Sequence, residues 1–471
     1  MANNQTPQQA AAAGAALPQV PGWSKFLYSF GYIGTSVVDR IMATWVLFYY
    51  APPKGSGDVT LVPAAVVGMI FLIGRALDTF IDPGVAFYTD GCKSKRGRRM
   101  PFMLYGGLPL AASMTLLFFP PTHGLSTINT IYLIVLLSTF YFFFSFYVCP
   151  YLALLPEIAR TPGERINLTS SQGIFMLLGT VIGMVASPIL IQKFGYKGMA
   201  VIMGVIACVS FYAPVIGINE KKYCAAEPSH LNIVESIVST LKNRPFVIYL
   251  FGNLTFWFGF NIISTCVPYY VTALLKLDKS VTTIFFALAL GVAFLCIPLM
   301  NFLTRKIGKR NTMILSLGMF FVLMPAIYFF GKPGTAALIE NLGIPMFGLD
   351  PKLLFAYITI ALVGIPLASL FIVPNALVAD LTDLDEKLTG LRREAIYFGT
   401  QGLFLKIDLG VSSLLMTQMF DKFGYSMSNP MGIRLTGLVG AFFALTGVIA
   451  FLIYPKDLNK YAAAHPDKYK Y

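Results

Sequence analysis

Apolar stretches near twenty residues recur along this chain, and that is the length a helix needs to cross the hydrocarbon core of a bilayer. About twelve can be placed between breakers and polar loops. The first half carries them at approximately 26–50, 61–90, 101–120, 129–156, 167–192 and 197–217. The second half carries them at approximately 243–273, 280–303, 312–331, 353–381, 394–420 and 432–454. Of the 471 residues, 56% are hydrophobic and only 12% are charged, whereas soluble domains carry about 25% charged residues. A soluble fold of this length could not hide so much apolar side chain. The pattern predicts an all-α polytopic membrane protein with twelve transmembrane helices.

The net charge of +13 does not point to nucleic acid, because the basic residues sit in short loops between apolar stretches. Alternate loops are dense in them: Lys93, Lys95, Arg96, Arg98 and Arg99; Arg160 and Arg165; Lys221, Lys222, Lys242 and Arg244; Arg305, Lys306, Lys309 and Arg310; Lys387, Arg392 and Arg393. The opposite loops hold few. Both termini are therefore expected to be cytoplasmic, in a cell membrane. The N-terminal run lacks a basic region and the apolar core of a signal peptide, and reads as a disordered tail. The six cysteines form no metal-ligand spacing and read as inert thiols. No nucleophile–base pair or metal constellation appears, so neither an enzyme nor a bound metal or cofactor is expected.

The halves resemble each other. "KRGRRMPFML" joins the second and third stretches, and "KIGKRNTMIL" joins the eighth and ninth. Gln172-Gly173 and Gln401-Gly402 occupy matching places. Two six-helix lobes related by an axis along the membrane normal are a known transporter plan. The expected division is a tail at 1–24, a first lobe at 25–217, a cytoplasmic linker at 218–242, a second lobe at 243–454 and a tail at 455–471. The linker is expected to hold a short amphipathic segment over about Leu231 to Leu241.

Charges inside the apolar stretches are the informative exceptions, since each costs at least ~2.5 kcal/mol at bilayer depth. At ~1.5 Å per residue, Asp82 lies ~12 Å, Asp78 ~18 Å and Arg75 ~22 Å from the end of the second stretch at Asp90. Lys406 and Asp408 lie ~18 and ~21 Å along the eleventh, and Asp39 ~21 Å along the first. The spacing i, i+3, i+7 puts Arg75, Asp78 and Asp82 on one face. Carboxylates there suit a proton or a hard cation, with Arg75 or Lys406 as counter-charge. The alternatives are a structural ion cluster for the first three and snorkelling for Lys406. Asp408 points to a different side from Lys406, toward another partner or a neighbouring helix. The adjacent Asp39 and Arg40 also diverge, so one of them is expected to line the cavity. All three histidines, His123, His230 and His465, lie in loops or tails.

Polar and aromatic residues able to line a solute path are Tyr32, Ser36, Tyr147, Gln172, Asn253, Trp257, Asn261, Asn375, Tyr397 and Gln401. They permit a sugar, held by hydrogen bonds and an aromatic face, without demanding one.

Three segments carry a resemblance: "GRALDTFIDPGVAFYTDGCKSKRGRRMPF", "CPYLALLPEIARTPGERINLTSSQG" and "PNALVADLTDLDEKLTGLRREAIYFGTQGLFLK". From about Lys25 to Ile453 the chain resembles the glycoside–pentoside–hexuronide:cation symporters of the major facilitator superfamily, the melibiose-carrier family. The resemblance implies a two-lobed carrier working by alternating access. It implies a cation site at Asp78 and Asp82, with Lys406 beside it, Arg75 on the same face, and Ser145 matching a nearby hydroxyl position. It further implies conformational motifs on the cytoplasmic side at Asp90, Gly97, Arg98, Arg99, Glu157, Arg165, Asp380 and Arg393.

The sequence also departs from the melibiose carriers. Ile81 replaces an Asn, Val148 an Asp, Ser36 the sugar-binding Asp of the first helix, and Gly173 an Arg. The galactoside site is therefore not expected here, and proton coupling is favoured over sodium. The expected function is symport of H+ or Na+ with a small polar organic solute such as a glycoside, pentose or uronate, by a monomer in the bilayer. Ser36, Asp39, Tyr147, Gln172, Trp257, Asn261, Tyr397 and Gln401 are the candidate substrate contacts. The rival readings are cation-coupled transport of an amphipathic solute such as a lysolipid, and a non-transporting sensor on a carrier fold.

Overall fold

Prolines, glycines and capping side chains set the helix limits in the computed structural model. It describes residues 18–92, 94–159, 161–224, 237–238, 240–343, 350–389, 394–458 and 460–461. Most of both expected tails, the expected amphipathic segment apart from a few residues, and Arg393 lie outside the described residues. So do the side chains of Asp90 and Arg165.

The helices in the first half are α1 (Gly22–Ile41), α2 (Ala64–Gly91), α3 (Met100–Leu116), α4 (Thr127–Ile158), α5 (Pro162–Val181), α6 (Ser187–Gly217) and the short α7 (Glu220–Tyr223). Then follow α8 (Arg244–Tyr269), α9 (Thr282–Ile307), α10 (Lys309–Leu323), α11 (Pro333–Asn341), α12 (Pro351–Thr389), α13 (Glu394–Phe423) and α14 (Met431–Ile453). Helix α1 continues through a π segment at Met42–Val46 to Leu47–Tyr50, and α5 runs through another at Ile182–Ala186 into α6. Gly195, at φ 68° and ψ 178°, breaks α6 where two of the expected stretches meet. A helix stands at each of the twelve expected stretches. Nine helical runs among the described residues are long and apolar enough to cross a membrane by themselves. The nine-residue helix α11 is one the apolar pattern does not mark.

Local chemistry explains several starts. Ser126 caps α4 by accepting from the Ile128 amide. Thr161 and Glu164 form a capping box on α5, where Pro162 needs no amide partner. Asn243 caps α8 by accepting from the Phe246 amide.

The chain divides into two compact units: residues 1–49 with 73–230, and residues 50–72 with 231–471. In the first, α1 packs on α5 and α6, and α3 on α4 and α6. Gly179 of α5 meets α1 so closely that a Cβ would lie 2.7 Å from that of Ser36. In the second, α8 packs on α14 and α13, and α12 on α9 and α10. Residues 50–72 join this unit through specific bonds. The Tyr269 hydroxyl donates to the Ala51 carbonyl at 2.8 Å, Lys54 accepts from the Met427 amide at 2.9 Å, and Lys279 pairs with Asp58.

Candidate functional site

In the first unit, Gly74 lets the Tyr141 ring of α4 lie against the backbone of α2; a Cβ there would meet the ring at 2.5 Å. The Arg75 guanidinium stacks over that ring, 4.8 Å from its centroid. Arg75 is buried, so its charge must be answered locally. One nitrogen, Nη2, donates to Asp39 Oδ1 at 3.0 Å, and the other, Nη1, stands 3.8 Å from Asp78 Oδ2. Asp39 is also bonded to Arg40. The charges expected to diverge on α1 thus both enter one chain, Arg40–Asp39–Arg75–Asp78.

Helix α4 answers α2 rung for rung. Asp78 and Asp82 are four residues apart, as are Ser145 and Cys149. The Ser145 hydroxyl donates to Asp78 Oδ1 at 2.6 Å, and the Cys149 thiol donates to Asp82 Oδ1 at 3.2 Å. Asp78 is fully buried and Asp82 half-buried. Cys149 is therefore no inert filler. Its signal in the sequence was its spacing from Ser145, matched to that of the two carboxylates. Among the described residues, no group of three or more His, Cys, Asp or Glu side chains is gathered closely enough to hold a metal ion.

The other candidates of this unit are more enclosed. Tyr147 is fully buried and spends its hydroxyl on the Phe211 carbonyl at 2.8 Å, so it joins α4 to α6. Gln172 Nε2 reaches the Tyr151 hydroxyl at 3.4 Å. The Tyr28 hydroxyl donates to the Tyr151 carbonyl at 2.6 Å. Ser36 is buried where α1 meets Gly179.

The second unit repeats that arrangement. The Tyr249 hydroxyl lies 2.9 Å from Gln401 Oε1 and 3.1 Å from the Pro374 carbonyl. Tyr28 and Tyr249, Gln172 and Gln401, and the Pro-containing segments at 150–151 and 374–375 therefore play matching parts. Tyr397 is fully buried and accepts from Asn243 Nδ2 at 2.9 Å, next to the cap of α8. Trp257 is half-buried, edge-on to Phe260. Asn261 Nδ2 donates to Asp408 Oδ2 at 3.3 Å. Lys406 is half-buried on the same helix.

The basic loops use a shared device. Gly97, at φ 117°, and Gly308, at φ 85°, turn the chain into α3 and α10. Arg99 Nη1 then donates to the Ala153 carbonyl at 2.5 Å and to Glu157 Oε1 at 2.6 Å, while Arg98 reaches Glu157 at 3.2 Å. Lys309 Nζ likewise donates to the Ala376 carbonyl at 3.1 Å and to Asp380 Oδ1 at 2.6 Å. Glu220 is a partner that sequence reasoning missed. Its buried carboxylate accepts from the amides of Arg98, Arg99 and Met100 at 2.9–3.2 Å, an anion on the N-terminus of α3. Burial, with the Glu157 and Glu220 charges nearby, pushes the adjacent Cys224 thiol up.

Membrane-length helices, with charged side chains such as Arg75 and Asp78 buried between them, define a polytopic membrane protein. The family model for MFS/sugar transport proteins matches residues 27–456. The chain belongs to that family, a family of transporters and not of enzymes. It is 24% identical to an isoprimeverose transporter of Lactiplantibacillus pentosus, covering 92% of this chain and 87% of the relative. It is 24% identical to a putative sulfoquinovose importer of Escherichia coli, over 85% of this chain and 82% of the relative. Among solved structures, the nucleoside transporter NupG superposes with a TM-score of 0.64 at 10% identity, over 93% of this chain and all of the other. A bacterial homolog of the human lysosomal transporter Spinster gives 0.61 at 12% identity, over 97% and 99%. These likenesses establish the major facilitator fold.

Proposed function

We propose that the chain is a cation-coupled symporter importing a sugar or a similar polyhydroxylated solute. The observation that carries the coupling is the ladder of Asp78 and Asp82 against Ser145 and Cys149, with Arg75 as built-in counter-charge. A proton is the favoured ion. The donors that α4 places on the two carboxylates, a hydroxyl and a thiol, bring one oxygen between them, far from the crowded oxygen shell a hard metal cation takes. When the carboxyl at Asp78 is neutralised, Arg75 loses one of its two acidic partners and Asp39 keeps it. Helix α1, which carries Ser36 one turn from Asp39, thereby senses the occupancy of α2.

Sugar-like cargo is supported by the isoprimeverose transporter and the sulfoquinovose importer among the relatives. Ser36, Asp39, Gln172, Trp257, Asn261 and Gln401 are the proposed contacts, with Tyr147 and Tyr397 as packed walls behind them. Gly97, Arg98, Arg99 and Glu157, with Asp380 in the second unit, form proposed cytoplasmic clamps that hold or release during alternating access; Asp90, Arg165 and Arg393 belong to the same motifs. The carrier works as a monomer in the cell membrane with both termini cytoplasmic.

Uptake by proteoliposomes, with isoprimeverose, pentoses and hexuronates as probes, tests this reading. Asp78→Asn and Asp82→Asn should each abolish accumulation against a gradient while leaving folding intact. Accumulation by both single variants would sink the coupling assignment. Sodium-dependent uptake that ignores a protonophore at fixed membrane potential would reassign the ion.

A further inference from the structure

Asp408 is a second carboxylate buried in an apolar helix, with no place in the ladder. It is 9% exposed. Its one hydrogen-bond partner among the described residues is the Asn261 amide, at 3.3 Å. No ion pair involves it there, and within its unit none of the neighbouring charges is committed to it. Helices α8, α14 and α12 pack on α13. Helix α8 offers Arg244 at its start; Tyr249, held at Gln401 and Pro374; Cys266, donating to Met416; and Tyr269, donating to Ala51. The one charged residue of α14, Arg434, donates to the carbonyls of Tyr328 and Phe330. Helix α12 has Tyr357, and its charges are at its ends: Lys352, then Asp380, Asp383, Asp385, Glu386 and Lys387. On α13 itself, Lys406 is two positions away, on a different side; Tyr397 bonds Asn243; Glu394, Asp421 and Lys422 are near the ends.

A carboxylate so placed needs a positive partner when ionised. One amide and one carboxyl supply too few oxygens for a metal cation, which takes six or so. A proton needs only the carboxyl.

A second observation lies along the same contact. Tyr249, Asn253, Trp257 and Asn261 recur every fourth residue of α8, and the first and last of them touch Gln401 and Asp408 of α13. Asn253 is fully buried, and neither its Nδ2 nor its Oδ1 finds a partner among the described residues. Buried amides are nearly always satisfied, by protein or by water. This row therefore marks a polar seam through an otherwise apolar interface.

We propose that Asp408 is a second proton-binding site, held by Asn261 and reached by water along the α8–α13 seam past Asn253. The carboxyl gives its proton to water and takes it back from water; Asn261 donates its N–H to the carboxyl in either state. The site is independent of the coupling assigned to Asp78 and Asp82.

The test is infrared difference spectroscopy of the purified protein between alkaline and acidic pH, with proton uptake counted in weak buffer. Asp408→Asn should remove one carboxylic-acid C=O band and lower the count by about one proton per molecule. Asp408→Glu should restore both. Asp78→Asn serves as a control that removes a different band, so loss of the coupling site is told apart from loss of this one. If Asp408→Asn does not fold, Asn261→Leu is used, and the same band should shift because its hydrogen-bond donor is gone. A folded Asp408→Asn protein with the full proton count, or an unshifted band in Asn261→Leu, would overturn the proposal.

Discussion

Arg75 binds Asp39 at 3.0 Å and stands 3.8 Å from Asp78, so the counter-charge of the ladder is anchored on the neighbouring helix rather than on its own. Removing Arg75 takes the counter-charge from buried Asp78 and leaves half-buried Asp39 to Arg40 alone. Breaking a buried pair on one side typically costs about 3 kcal/mol or more. Arg75→Gln should therefore lower the thermal midpoint of the purified protein substantially. Asp39→Asn should cost less when added to Arg75→Gln than it does alone, because the bond to Arg75 is already gone. Additive losses in the double variant would show that Asp39 and Arg75 do not act as a pair.

The two rungs of the ladder differ in chemistry, and that difference is testable. Ser145→Ala removes a hydrogen bond to an ionisable group, an interaction worth about 1.5–3 kcal/mol. The lost donor had favoured the charged carboxylate, so with a proton as the ion the pH dependence of uptake should move toward alkaline pH in Ser145→Ala. Cys149→Ser exchanges a soft sulfur for a hydroxyl oxygen, a better ligand for a hard cation. Stimulation by sodium or lithium should rise in Cys149→Ser and not in Cys149→Ala. Equal responses in both would mean that the thiol only fills space.

Hydropathy made the helices legible, because a bilayer demands continuous apolar length. Asp78, Asp82 and Arg75 stood out because charge inside such a stretch is costly. Their partners were harder to read, since nothing local marks them. Cys149 meets Asp82 across 67 residues of sequence, and Glu220 meets Arg98 across 122. Adjacent positions on a helix diverge, and that expectation for Asp39 and Arg40 gave no hint that both join one chain with Arg75. Glu220 lies in the expected linker, where nothing singles it out, because a carboxylate seated on a helix N-terminus has no signature in its own neighbourhood. Tyr147 and Tyr397 carried the right chemistry for a solute path, but side-chain direction decides that question. Both hydroxyls turn to protein partners.

Gly97 and Glu220 make a single structural unit. The φ of 117° at Gly97 suits only glycine, and a Cβ there would lie 2.5 Å from the Glu220 carboxyl carbon. Gly97→Ala should therefore cost more than the usual penalty for replacing a left-handed glycine, ~1 kcal/mol or more. Glu220→Gln keeps the shape but drops the charge facing three amides, and should cost about 0.5–2 kcal/mol. Thermal unfolding of each variant checks both. A Glu220→Gln protein as stable as the parent would leave the anion on α3 without energetic weight.

Cys224 offers a chemical probe of the same cluster. Burial and the carboxylates of Glu157 and Glu220 raise its thiol, and the thiol is hydrogen-bonded to Glu157. Only the thiolate alkylates readily. A raised pKa means that less thiolate is present at neutral pH than in an ordinary cysteine, so maleimide labelling of Cys224 should lag behind that of a small free thiol. The rate should climb about tenfold per pH unit as long as the pH stays below the thiol's own pKa. Glu157→Gln removes one of the two negative charges, which should lower the thiol's pKa and speed labelling at any given neutral pH. Mass spectrometry of the Cys224 peptide across a pH series reads this directly. Labelling as fast as the free thiol, or unchanged by Glu157→Gln, would mean that the clamp does not hold Cys224 against Glu157 in solution.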